Sequence, residues 1–201
     1  MGKGNMDKER IERLCRLSGV HSTKKTVENI KGLMETYSSI RDDLEYLPRG
    51  VVSDEVWKEA SDIFTFMSHK EMMPVEKRET ILAALIRSGQ FEISLNEVMS
   101  QIKSFSSEGE TYYTIIYMLY LDKEPHKNAE IQREVGYGHT AYQEKKELAI
   151  LLFGLLFWKK FLDHWENSTE EMLIIEKNLG RDGSLSENKV REELLDNEQL
   201  A

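Results

Sequence analysis

Apolar residues recur three and four positions apart along most of this chain, a period that predicts helices rather than strands. Ile11, Leu14 and Leu17 form the first stripe, over a helix at Asp7–Leu17, with Arg10, Arg13 and Arg16 nearby. Gly19, Val20, His21 and Ser22 break it. The next helix runs from about Lys24 to Tyr46, its stripe made of Ile30, Leu33, Met34, Tyr37, Ile40 and Leu44, and Leu47-Pro48-Arg49-Gly50 stops it. Arg41 interrupts a clean heptad there, which favours packing within the chain over a helical dimer. Ser53 or Asp54 is placed to cap a helix through Ser68. Pro74 stands at the start of another helix and Gly89 just past its end, the usual asymmetry of helix termini, with Ile81, Leu82, Leu85 and Ile86 as its core face. Ser94 and Glu97 read as a capping box opening a short helix over 95–103. Helices 75–88 and 95–103 have the order of a helix-turn-helix, but Lys103 is the only base on the second, so the pair reads as scaffold.

The second half continues the pattern. Ser104–Glu110 is a polar linker, Thr111–Leu121 a helix rich in Tyr and Ile, and Asp122–Lys127 a connecting loop. From Leu148 there is no polar side chain before Trp158. That run is far short of the ~20 apolar residues a membrane span needs, and Lys159 and Lys160 end it. A helix apolar all round must be covered on every side, either by the N-terminal helices or by a second copy of the chain, so a homodimer is one of two expectations. Ser168 and Glu171 make a capping box for a helix ending at Gly180, and the acidic, apolar-poor stretch Asp182–Ala201 is expected to be flexible. The expected architecture is all-α: an N-terminal helical region over 1–105, a helix-turn-helix region over 106–165, and an acidic C-terminal helix and tail over 166–201.

One segment carries chemistry of its own, Asn128–Ala149. Ile131 and Val135 lie four apart on one side of a short helix, and Ala129 is small, as a close helix crossing requires. Gly136 follows the last apolar residue, where a helix often ends in a left-handed conformation that glycine adopts cheaply. Tyr137 plugs the turn, and His139 or Thr140 caps the next helix. Ala141, Tyr142, Lys145, Leu148 and Ala149 follow at helical spacing, with Gln143, Lys145 and Lys146 in the first two turns. In a helix-turn-helix those turns of the second helix enter the major groove.

On Ile131, Val135, Gly136, Tyr137, Tyr142, Lys145, Leu148 and Ala149 the segment resembles the C-terminal helix-turn-helix of the ArpU family of phage-type transcriptional regulators, itself similar to region 4 of bacterial sigma factors. The resemblance implies a DNA-binding transcriptional regulator, phage or prophage encoded. Its partner would be double-stranded DNA, with phosphate contacts from Lys127, Lys145 and Lys146 and base-edge contacts from His139, Thr140 and Gln143. The chain departs from the family at the His139 cap and at Glu144 and Glu147, which repel phosphate. Those carboxylates support the alternative, a protein-binding module that contacts RNA polymerase or another regulator without strong DNA affinity. A phage packaging protein of similar fold is a third reading.

Composition adjusts this picture. The 201 residues carry a net charge of −9, which argues against purely electrostatic nucleic-acid binding. The acidity is uneven: residues 110–163 hold 7 basic and 8 acidic side chains, whereas residues 164–201 hold 4 and 10. The single Cys15 excludes an intrachain disulfide and any Cys-cluster zinc site, and reads as a small buried apolar residue. None of the five histidines pairs at metal-ligand spacing, and no phosphate loop, dinucleotide glycine pattern or nucleophile elbow occurs. The expectation is therefore no enzyme, no catalytic residue, no metal and no cofactor. With no apolar leader, a cytoplasmic location and no membrane partner are expected.

Overall fold

A computed structural model describes residues 3–20, 22–44, 46, 74–124, 126–157 and 159–160. The helix expected over 53–68, the helix ending at Gly180 and the tail 182–201 lie outside the described residues. Chain contacts divide the protein into two units, Met1–Phe161 and Leu162–Ala201, and every described residue belongs to the first.

The described residues are all helical in their regular structure, with no strand among them. Helices α1 (Lys3–Leu17) and α2 (Thr23–Leu44) are followed by α3 (Val75–Ser88) and α4 (Gln90–Ser104). Then come α5 (Gly109–Ile116), which widens into a π-helical turn at Tyr117–Leu121, and α6 (Asn128–Val135). A last helix, α7, occupies residues 139–157. α2 packs against α3 and the π turn, and α5 against both α4 and α6.

α3 and α4 share one residue as a boundary. Gly89 sits in the left-handed region (φ 77°, ψ −9°), closes α3 through its N–H to the Ile86 carbonyl, and is the N-cap of α4. Helix α4 thus begins at Gln90, five residues earlier than Ser94 and Glu97 suggested. Ser94 is an interior helical residue, buried in the core, and the Ser-x-x-Glu spacing there is no cap. Phe91 instead seals the junction: its ring stacks on Tyr37 at 4.8 Å and lies 5.0 Å from Phe157.

The apolar helix α7 is covered by the chain itself. Ala149, Ile150, Leu152, Phe153 and Phe157 are all at most 1% exposed, and Leu148 and Leu151 are buried too. Gly154 lets α2 approach so closely that an added Cβ would collide with the Ile30 side chain. Of the N-terminal helices expected to cover it, α2 lies against it at Ile30 and α4 at Phe91.

α1 packs on the core through one face. Ile11 and Cys15 face inward, and burial pushes the Cys15 thiol up to about 11. Arg10 donates from Nη1 to the Phe105 carbonyl at 2.9 Å and lies over the Phe105 ring. Asp7, buried, accepts from Ser106 Oγ at 2.7 Å and from the Tyr112 hydroxyl at 3.2 Å. These bonds satisfy a carboxylate that burial would otherwise penalise. They also hold the bend at 105–108 against α1. Gly109 begins α5 with its Cα against the end of α4, where a Cβ would come within 2.6 Å of the Ile102 carbonyl oxygen.

Candidate nucleic-acid interface

The segment singled out by its sequence folds as α6, a turn at 136–138, and α7. Residue Lys127 takes the N-cap position of α6, and its backbone N–H donates to the Glu130 carboxylate at 3.0 Å. His126 bridges the preceding loop to the helix, with Nε2 2.8 Å from Asp122 and Nδ1 3.7 Å from Glu130. The hydrogen bond from His126 is the main reason the Asp122 carboxyl is held below its usual range. Ile131 is buried and Val135 packs against the core. Ala129 is exposed, so its small size serves no close crossing.

Gly136 ends α6 in the left-handed region (φ 72°, ψ 21°), with its N–H reaching the Gln132 and Arg133 carbonyls. Nothing lies within 4 Å of where its Cβ would stand, so the need for glycine is conformational rather than steric. α7 then starts from Gly138, whose carbonyl accepts the Tyr142 N–H at 2.9 Å. His139 and Thr140 were expected as caps. Both are helical instead, and both are exposed.

The six residues expected to touch DNA fall into two groups. Lys127, His139 and Thr140 are exposed, and Gln143 and Lys146 are half-exposed. Lys145 is different, with only 11% of its side chain exposed. Its ammonium pairs with Glu108 Oε2 at 3.0 Å and lies over the rings of Tyr112 and Tyr137. The expectation that Lys145 lies ready for a phosphate therefore fails on position. It sits on the inward stripe of α7, three residues after buried Tyr142 and four before buried Ala149, and its charge is spent on an internal carboxylate. The same Glu108 oxygen accepts from the Tyr137 hydroxyl at 2.6 Å, which raises the Tyr137 pKa. Tyr137 is thus more than an apolar plug: it ties the turn to the 105–108 bend.

On the opposite side of α7 lie Thr140, Gln143, Glu144 and Glu147. One of the two carboxylates is neutralised, since Lys8 of α1 reaches Glu144 at 3.1 Å. This pair also raises the Lys8 pKa. Lys146 projects sideways, donating to the Asn128 side-chain oxygen at 3.2 Å across to the first residue of α6. The Tyr142 hydroxyl shares that acceptor at 2.8 Å, so one amide pins both helices of the segment together. Sequence reasoning did not single out Asn128, Glu108 or Lys8 for these roles, because each acts across a long stretch of chain.

Among the described residues no group of three His, Cys, Asp or Glu side chains is arranged to hold a metal, and no helix is long and apolar enough to cross a membrane. Comparison with protein-family models, with curated proteins and with solved structures finds no match for this chain.

Proposed function

We propose that this protein is a DNA-binding transcriptional regulator, of the phage or prophage kind that the resemblance implies, and that α6 and α7 act as its helix-turn-helix. The observation that carries the reading is the contrast along α7. From Leu148 onward the helix is core, yet its first turn at 139–141 stands exposed directly after a left-handed glycine turn. A helix that is core from Leu148 onward and whose first turns carry an exposed face through Glu147 has the form that major-groove insertion requires. His139, Thr140 and Gln143 supply hydrogen-bonding groups for base edges, and Lys127 and Lys146 supply charge for flanking phosphates. The test is selection of bound duplexes from a random or genomic pool, followed by titration of the selected duplex. A selected consensus is expected, with binding that weakens at least tenfold in the double variant Thr140→Ala, Gln143→Ala while the helical content stays unchanged. Enrichment of no sequence at low salt rejects the reading.

A second reading is a module that binds RNA polymerase or another regulator. Inward-turned Lys145 and the acidic outward positions Glu144 and Glu147 favour it. A homodimer remains a further proposal, to be read from the mass in solution. The two readings part on salt: DNA binding falls steeply with ionic strength, whereas docking of an acidic helix face on a protein falls less.

A further inference from the structure

A groove of about 560 Å³ lies beside the proposed DNA-binding segment, on the flank of α7 from which Lys146 projects. Its lining brings α2 to the segment: Lys31, Glu35, Ser38 and Ser39 from α2, with Asn128 and Lys146 facing them. Two ammonium groups therefore share one groove. Lys146 registers its neighbour, since its pKa is lowered first by burial and then by the charge of Lys31. Among the described residues no ion pair holds Lys31, and Glu35, the groove's one carboxylate, is not paired with it. Lys146 gives one of its three N–H donors to Asn128 and keeps the others for a ligand. Two like charges in one partly buried groove repel unless an anion sits between them. The Ser38 hydroxyl is of the type that bonds phosphate oxygens, whereas Ser39 already donates its O–H to the Thr36 carbonyl at 2.8 Å.

We infer that this groove holds a phosphate of the DNA backbone between Lys31 and Lys146, making α2 part of the DNA-binding surface although it lies outside the helix-turn-helix. The inference rests on the DNA-binding reading and adds a contact to it. Lys146 is three residues from Gln143, less than one helical turn of about 5 Å, so the bound phosphate flanks the bases that Gln143 reads.

The experiment uses the full chain with Lys31→Ala and, as a second variant of similar bulk, Lys31→Gln. Each is titrated with the selected duplex at several salt concentrations, with circular dichroism to confirm the fold. Lys123→Ala, an exposed lysine outside this groove, is the control. Loss of one phosphate contact is expected to shrink the slope of log K against log salt by about 0.9, which is roughly an eightfold loss of affinity at 0.1 M salt. Sequence preference should be unchanged. Either folded Lys31 variant with the slope of the wild type overturns the inference while leaving the DNA-binding reading intact. A wild-type protein that binds no duplex in a salt-dependent way overturns both.

Discussion

Gly89 and Gly136 each end one helix and lead into another, with nearly the same backbone: φ 77° and ψ −9° against φ 72° and ψ 21°. The outcomes are opposite. After Gly89 the next helix starts at once, and its first turn is driven into the core by Phe91. After Gly136 two further residues intervene, and the first turn of the next helix projects from the surface. The glycine sets the reversal of the chain, while the side chains immediately beyond it decide whether the following helix is scaffold or tip. Phe at the second position after Gly89 has somewhere to go, between Tyr37 and Phe157. His139 and Thr140 have no such pocket and stay in water.

The comparison breaks most visibly at Phe91. Phe91→Ala should cost about 4 kcal/mol of stability, as for other fully buried aromatic truncations. Urea denaturation measures it, and a midpoint equal to that of the wild type would mean the first tip is not core. Next in size is Lys145→Glu, which sets a second carboxylate beside Glu108 in a nearly dry site. Breaking this pair should cost about 3 kcal/mol, and the same denaturation experiment tests whether the inner face of α7 is anchored as described. The paired variants Gly89→Val and Gly136→Val should each cost about 1–2 kcal/mol, because each forces a left-handed residue. Only Gly136→Val should also weaken DNA binding, and thermal melting alongside duplex titration separates the two turns. Smallest is His139→Ala with Thr140→Ala, expected to move stability by no more than about 0.5 kcal/mol. A large loss of stability in that double variant would show that the second tip is packed after all.

The helices were legible because their apolar stripes are long and their ends carry Pro74, Gly89 and Gly136, residues whose backbone preferences act locally. The Ser94-x-x-Glu97 reading failed because that spacing also fits a helix interior, and nothing local says that Gly89 can both close and open a helix. Lys145 was misplaced for a different reason. A charged residue reads as surface, and its partners Glu108 and Tyr112 are more than thirty positions away. Yet it falls on the stripe of Tyr142, Ala149 and Leu152, and that register was the available sign that it points inward. The groove between α2 and α7 was invisible from the chain alone, since it needs α2 beside Asn128, a proximity that exists only after folding.

Gly154 and Phe157 carry a consequence for how this protein could change over time. The exposed tip of α7 is short, but the rest of that helix is seated on Ile30 of α2 and on Phe91 of α4. Severed at the 105–108 bend, the C-terminal piece would lose Ile30 from Gly154 and Phe91 from Phe157, and Tyr112 would lose Asp7 as its acceptor. The segment 128–149 is therefore not portable. It cannot be exchanged between chains as a cassette, and on the DNA-binding reading proposed above a new target specificity has to arise by substitution at the handful of exposed positions around 139–143, on a support that must be inherited whole.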